Sequence, residues 1–383
     1  MQIREQWIDE AIKNIRKKMD WVSDKNKDII PYTCAADGSY IDMSKKDPGD
    51  PKSEGINWWT NGFWGGLLWL LYEDTKDEKY KEYARISEKK LEECFVEYRG
   101  LHHDVGFMYM LTAVADYKIT GNPHSREIGL HAANLLAGRF NIKGNFIRAW
   151  NLRDGEPHTG WAIIDCMMNL SLLYWAYEED HDPRYLHIAK AHADTVLVNF
   201  IREDGSSEHI VEFDPVSGRR ITSYGGQGYE KGSAWSRGQA WAVYGFTISY
   251  IHTKEEKYLE AAKKAAEYCI SQIPKNGIIP IDFKQPKVPA LEDSCAAAIL
   301  ASGLIELSVQ IPPSKNARYR DAALLLLQTL AEDRSDFTQT CDAILKNCSA
   351  SYHEKTHHIA MVYADYFFVE AIYKLNGTGR FMW

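Results

Sequence analysis

The sequence predicts an all-α fold, an (α/α)6 barrel of six helical hairpins, on three observations. Apolar residues recur at i, i+3, i+4 and i+7 through windows of 15 to 20 residues, the period of a helix rather than a strand. Twelve such windows alternate in character, one apolar nearly all round and the next carrying a charged face. The joints leading from an apolar window to a charged one also repeat, which marks a helical-hairpin array.

Taken in order, the helices are expected near 3–20, 59–74, 77–97, 103–119, 123–139, 160–178, 182–201, 234–252, 255–273, 291–309, 314–333 and 357–375. The even ones resemble Phe63-Trp64-Gly65-Gly66-Leu67-Leu68-Trp69-Leu70, with no polar face to offer water. The odd ones resemble Lys79-Tyr80-Lys81-Glu82-Tyr83 and Glu256-Lys257-Tyr258-Leu259-Glu260. The even helices are therefore enclosed and the odd ones peripheral. The joints Thr75-Lys76-Asp77, Asp180-His181-Asp182-Pro183 and Thr253-Lys254-Glu255 each give a short polar turn and then a Tyr in the outer helix, with weaker versions at Thr120-Gly121-Asn122-Pro123 and Pro313-Ser314. An open solenoid is the competing arrangement. Closure is favoured because the inner helices are too apolar to line a solvated concave face.

Longer connections fall at 21–57, 140–159, 202–233, 274–290 and 334–356, always from an odd helix to an even one. In a barrel they gather at one end, above the starts of the inner helices, and loops of such length usually carry function. Residues 206–213 read as a short strand, and little else reads as β. No break in composition divides the chain, so residues 1–383 are expected to form a single domain.

With 45% hydrophobic and 12% aromatic residues the chain can build a large core. A net charge of -8 without a basic stripe excludes nucleic acid as the main partner. The longest apolar stretch, Phe63 to Tyr72, is too short to span a bilayer and the start lacks a signal core, so no membrane partner and a cytoplasmic location are expected. Seven scattered cysteines with no Cys-x-x-Cys spacing indicate neither a disulfide framework nor a cysteine zinc site. His353-Glu354-Lys355-Thr356-His357 matches the zinc-protease motif by letter. That chemistry needs both His on one continuous helix, whereas this stretch is polar and non-periodic, so no metal and no cofactor are expected.

The chemistry concentrates where inner helices begin. His102-His103-Asp104 opens the fourth, and Asp165 stands alone in the run Trp161-Ala162-Ile163-Ile164-Asp165-Cys166-Met167-Met168 that opens the sixth. A carboxylate among Ile, Cys and Met is costly to bury unless it is paired, protonated or reactive, and two in matching places suggest an acid/base pair. Asn57-Trp58-Trp59-Thr60-Asn61, Ser233-Ala234-Trp235-Ser236-Arg237, Glu292-Asp293-Ser294 and His357-His358 open other inner helices. A cup rich in Trp and acids suits a carbohydrate, since rings stack on sugar faces while acids and amides bond hydroxyls. Thr60, Asn61, Asp293 and Ser294 read equally well as helix caps, Trp64 and Trp69 as core, and His102 as a structural hydrogen-bonder.

The stretches Trp59-Thr60-Asn61-Gly62-Phe63-Trp64, His102-His103-Asp104-Val105-Gly106-Phe107, Ile147-Arg148-Ala149-Trp150, Ile164-Asp165-Cys166, Trp235-Ser236-Arg237-Gly238-Gln239-Ala240-Trp241 and Glu292-Asp293-Ser294 resemble, in order and over nearly the whole chain, the unsaturated glucuronyl hydrolases of glycoside hydrolase family 88. The resemblance implies an (α/α)6 barrel acting on an oligosaccharide that ends in a Δ4,5-unsaturated uronic acid, the product of a polysaccharide lyase. It implies hydration of a vinyl ether: the acid matching Asp165 protonates C4, water adds at C5, and the resulting hemiketal opens. The acid matching Asp104 is its partner. Carried over residue by residue, Trp59, Trp150, Trp235 and Trp241 are expected as stacking walls, with His103, His209, Gln227 and Arg237 as polar contacts. Arg237, and after it Arg148, is the expected partner of the substrate carboxylate.

A helix N-terminus lowers the pKa of a nearby acid, the wrong direction for a proton donor, whereas repulsion from Asp104 raises that of Asp165. Joint titration and a mildly acidic optimum are expected. The chain departs from the family pattern at Gly225-Gly226-Gln227-Gly228, where Gly226 replaces a usual His, and Ser349 to Lys355 only loosely matches the sulfate-binding cluster of some members. Unsaturated rhamnogalacturonyl hydrolysis on the same barrel, a non-catalytic glycan-binding helical repeat, and an isomerase or epimerase relying on His remain the competing readings.

Overall fold

The computed structural model describes residues 6–46, 53–152 and 158–383. Among them are thirteen α-helices: α1 (Gln6–Asn26), α2 (Asn61–Thr75), α3 (Glu78–Glu92), α4 (Val105–Met110), α5 (Ala113–Thr120), α6 (Pro123–Ala137), α7 (Cys166–Asp180), α8 (Pro183–Asn199), α9 (Ser236–Thr253), α10 (Glu256–Gln272), α11 (Ser294–Gln310), α12 (Ala317–Thr329) and α13 (Val362–Asn376). Residues 3–5 of the expected first helix lie outside the described residues.

The inner helices form a closed ring. α2 packs on α4, α4 on α7, α7 on α9, α9 on α11, α11 on α13, and α13 returns to α2. That closure removes the open solenoid. Outer helices α3, α6, α8, α10 and α12 each pack on the inner helix before them, and α1 packs on α13. Every residue of α9 from Ser236 to Ser249 is buried, whereas α10 buries only one side.

The repeated joints have a common geometry. α2, α5, α7, α9 and α13 end on a left-handed residue, namely Lys76, Gly121, His181, Lys254 and Gly377, whose N–H closes the last turn. Asp77, Asn122 and Asp182 then accept the N–H of Lys79, His124 and Arg184 to start the outer helix. Tyr80, Tyr185, Tyr258 and Tyr319, which enter the outer helices, are all buried.

Three expectations change. The fourth periodic window is two helices, because the chain breaks at Thr112 (φ -116, ψ -88), whose hydroxyl donates to the Met108 carbonyl at 2.7 Å. The sixth and twelfth windows begin later than their apolar pattern. Residues 161–163 pair as a strand and Ile359 bridges Cys348, so these segments place their backbone hydrogen bonds in neighbouring loops rather than in a helix. The long connections also hold more β structure than the one strand expected. β1 (Pro31–Cys34) pairs with β2 (Tyr40–Asp42), β3 (Phe140–Asn141) with β4 (Phe146–Ile147), and β5 (Trp161–Ile163) with β6 (Ile210–Phe213), which also pairs with β7 (Arg220–Tyr224). Strands of two to five residues are too short to show an alternating pattern.

Phe63, Phe107, Trp241 and Phe367 fill the barrel axis in mutual ring contact. Trp383, fully buried, stacks on Phe367 at 5.8 Å and donates its indole N–H to Glu370 at 2.8 Å. Trp64 and Trp69 are core, as expected.

Candidate active site

The sheet β5-β6-β7 builds one wall of the site. Ile163 pairs with Ile210 and the Ile164 N–H donates to the His209 carbonyl at 3.1 Å, which brings His209 beside Asp165. His209 Nε2 stands 3.9 Å from Asp165 Oδ1, and the imidazole lies against Trp235 with ring centroids 4.2 Å apart. His209 Nδ1 sits between the Gln227 N–H at 3.1 Å and the Gly225 carbonyl at 3.2 Å. The amide N–H can only donate and the carbonyl can only accept, so Nδ1 has a partner in either neutral tautomer, while Nε2 faces Asp165. Burial holds the imidazole down at about 3, so it is neutral.

Gly226 completes this contact. Its φ is +59, and a Cβ built there would lie 2.1 Å from His209 Nδ1. A side chain at this position would displace the imidazole, so the departure from the family pattern is tied to the seating of His209.

The opposite wall holds Asp104. Its carboxylate lies 3.0 Å from His102 Nδ1 and 3.1 Å from His103 Nε2, and it accepts from Asn169 Nδ2 at 3.2 Å. Burial opposes its ionisation, but the charge of His103 and contacts with both imidazoles outweigh that and hold the carboxyl well below the usual range. For His102, burial is likewise outweighed, by Asp104 and Glu54, and its pKa rises to about 9. Asn169 joins the two acids, since the same amide lies 3.3 Å from the Asp165 carbonyl and its Oδ1 accepts the Phe107 N–H at 2.7 Å. Gly106 permits this approach, as a Cβ there would sit 2.5 Å from Asn169.

Asp165 is the opposite case. It occupies the cap position of α7 without capping it, and its Oδ1 is buried with no hydrogen-bond partner. Desolvation, and then repulsion from Asp104, push its pKa up to about 7, overcoming a hydrogen bond from its own backbone N–H and the pull of Arg237. The two acids are thus pushed apart, one ionised and one protonated near neutrality.

Both acids line one cavity of about 330 Å³ with Trp58, Trp59, Trp150, Gln227, Trp235, Arg237 and Trp241. Trp59 and Trp150 are half-buried, while Trp235 and Trp241 are 3% and 1% exposed and form a floor rather than walls. His103 is fully buried behind Asp104, held by the Ala149 carbonyl at 2.8 Å.

Two expectations are corrected. Arg148 does not line this cavity but a neighbouring one, because Arg148 and Trp150 on the same loop serve different pockets. Arg237 lines it, but both terminal nitrogens of its fork are already engaged. Nη1 donates to Asp293 at 2.8 Å and to the Ser349 carbonyl at 3.0 Å, and Nη2 to the Ala350 carbonyl at 2.5 Å. Arg237 therefore offers the site a positive field, not a free bidentate grip. Asp293 also caps α11 through the Cys295 N–H. Replacing Arg237 by Met should destabilise the fold by about 3–5 kcal/mol, read as a fall in the urea midpoint, because Asp293 would be left buried without its counter-ion.

Glu54, which holds His102, and Asn169 were missed by sequence reasoning. Glu54 lies in a loop with no periodic signal, whereas Asn169 follows Asp165 by one helical turn and its polarity in an apolar run was legible. His102, His103 and Asp104 present possible ligand atoms within 4.8 Å of one another, as do Asp293, Cys295 and Cys348, although Asp293 is already neutralised by Arg237. His353 and His357 lie in a loop, with their Nε2 atoms facing the Tyr229 and Tyr352 carbonyls. No described helix is long and apolar enough to cross a membrane.

Comparison with known proteins agrees with this geometry. The unsaturated glucuronyl hydrolase of Bacillus sp. (strain GL1) is 36% identical over 83% of this chain and 86% of its own. The crystal structure of the Bacillus sp. GL1 enzyme superposes with a TM-score of 0.89 at 32% identity, covering 96% of each chain. The unsaturated chondroitin disaccharide hydrolase of Streptococcus pneumoniae (strain ATCC BAA-255 / R6) is 31% identical over 99% of this chain and 93% of its own. The model of Glycosyl Hydrolase Family 88 matches residues 32–302, and the chain belongs to that family.

Proposed function

We propose that this enzyme removes a Δ4,5-unsaturated uronic acid from the nonreducing end of lyase-generated oligosaccharides, with Asp165 as proton donor and Asp104 as the charge that keeps the donor protonated. Its family and its relatives make it a hydrolase of unsaturated glucuronyl oligosaccharides. One observation carries the assignment of roles: Asp165, with an unpartnered carboxyl oxygen and a pKa raised to about 7, lines an aromatic cavity beside an ionised acid. A vinyl ether needs a proton at carbon before water can add, and a carboxylic acid neutral near pH 7 can supply it.

The step balances. The Asp165 proton moves to C4, a water oxygen bonds to C5, and the water's proton returns to the Asp165 carboxylate. The hemiketal so formed opens and releases the next sugar. His209, neutral with its Nε2 toward Asp165, can hold the water or a substrate hydroxyl by a hydrogen bond. Trp59 and Trp150 offer ring faces to the sugar, and Gln227 an amide rim. The Arg237 field favours the substrate carboxylate while Trp235 Nε1, buried and unpartnered, is available as a donor. Residues 1–383 are read as one catalytic barrel. Seven cysteines without a disulfide suit the reducing cytoplasm as its place of work.

The test is direct. Unsaturated disaccharides from chondroitin, hyaluronan, heparin and pectin lyases are each incubated with the protein, and the ultraviolet absorbance of the conjugated double bond is followed. Loss with at least one uronate-terminated substrate is expected. No loss with any of them would overturn the reading.

A further inference from the structure

A second cavity of about 440 Å³ lies on the far side of His102 from the acid pair, between the α3–α4 connection, α6 and the loop after β4. Arg99, Arg139 and Arg148 line it, and among its described lining residues there is no Asp or Glu. With no carboxylate among the described lining residues, three arginines give this space a locally positive field that favours an anion.

The two inner arginines differ in what they do. Arg139 is fastened by its whole fork to neutral acceptors: the Arg148 carbonyl at 2.9 Å, the Ala149 carbonyl at 2.9 Å and Asn151 Oδ1 at 2.8 Å. Its charge is thereby positioned but not neutralised. Burial, followed by repulsion from Arg148, lowers its pKa to about 10. The Arg148 Nε is buried with no hydrogen-bond partner among the described residues. Arg99 stands exposed at the mouth.

We propose that this cavity is a binding site for a compact oxyanion of the sulfate or phosphate type, gripped by the Arg148 fork, held in the field of Arg139 and admitted past Arg99. A guanidinium fork matches two oxygens of such an anion, and the cavity is large enough for a tetrahedral group with its waters. The site also has a route to the catalytic centre. His102 forms part of its wall and contacts Asp104 from the other side, so an anion here acts on the group that sets the charge of the acid pair.

Sulfate esters on a glycan and the free ion share this chemistry, and the experiment separates them. Calorimetric titration of the whole protein with sodium sulfate, against sodium chloride at matched ionic strength, should give saturable millimolar binding. Arg148→Gln should weaken it roughly tenfold or more, and Arg148→Lys should retain part of it. If Arg148→Gln fails to fold, Arg99→Gln should shift the affinity in the same direction by less. A KM rise in the variant confined to sulfated unsaturated disaccharides assigns the site to a substrate ester, and an equal KM for sulfated and unsulfated ones assigns it to the free ion. Absence of saturable sulfate binding to the unmodified protein, or an unchanged affinity in Arg148→Gln, would overturn the proposal. The calorimetric readout does not depend on turnover, so the site stands or falls apart from the roles of Asp165 and Asp104.

Discussion

Asp165→Asn is expected to lower kcat by about 10³–10⁴-fold while KM changes little, because it removes the proton donor and leaves the shape of the site. Asn is nearly isosteric and cannot protonate C4. The same substitution should not lower the melting temperature. The carboxyl it replaces has one unpartnered buried oxygen and caps no helix, and the hydrogen bond it accepts from its own backbone N–H is one an amide oxygen also accepts, so the fold loses no contact. Single-turnover rates, equilibrium binding of an unsaturated disaccharide and a thermal melt check the three parts separately. A variant that turns over at near the original rate would show that the proton comes from elsewhere.

Asp104→Asn should cost about 10²-fold in kcat at neutral pH, and its signature is in the pH profile. The donor is active only while protonated, so activity is full below the pKa of Asp165 and falls as pH rises through about 7. Repulsion from ionised Asp104 is one of the two causes of that elevation, after burial. Removing it moves the descending limb to lower pH, and the variant recovers relative activity in mild acid. The substitution also releases His102 and His103 from their shared carboxylate. A purely structural role for Asp104 would lower activity at every pH and leave the limb in place, which is the outcome that would defeat the coupling.

Much of the fold was legible because a barrel of hairpins repeats its instructions. Inner and outer helices differ in whether a polar face exists, and α9 and α10 follow that difference without exception. The joints were legible for the same reason, since a left-handed residue and a capping acid are local devices. What escaped was short or non-local. The break at Thr112 depends on one side chain taking a carbonyl, and β5 and β7 exist only because β6 lies between them.

The sequence by itself determined the class of the molecule, the pair of acids and the family pattern, because each is written in residue types at characteristic spacings: Asp165 in an apolar run, Asp104 after two His, the Trp-x-Arg-Gly-Gln-Ala-Trp segment. Only the tertiary structure decided how those groups divide the work. It closed the ring from α13 to α2, gave Asp104 two imidazoles and Asn169, and left one buried oxygen of Asp165 without a partner, so that two carboxyls of the same chemistry differ in charge. It also assigned the two arginines, committing Arg237 to Asp293 and turning Arg148 into a separate cavity. The physical reason is that the state of a charge depends on which desolvated neighbours surround it, and those neighbours come from elements far apart in the chain.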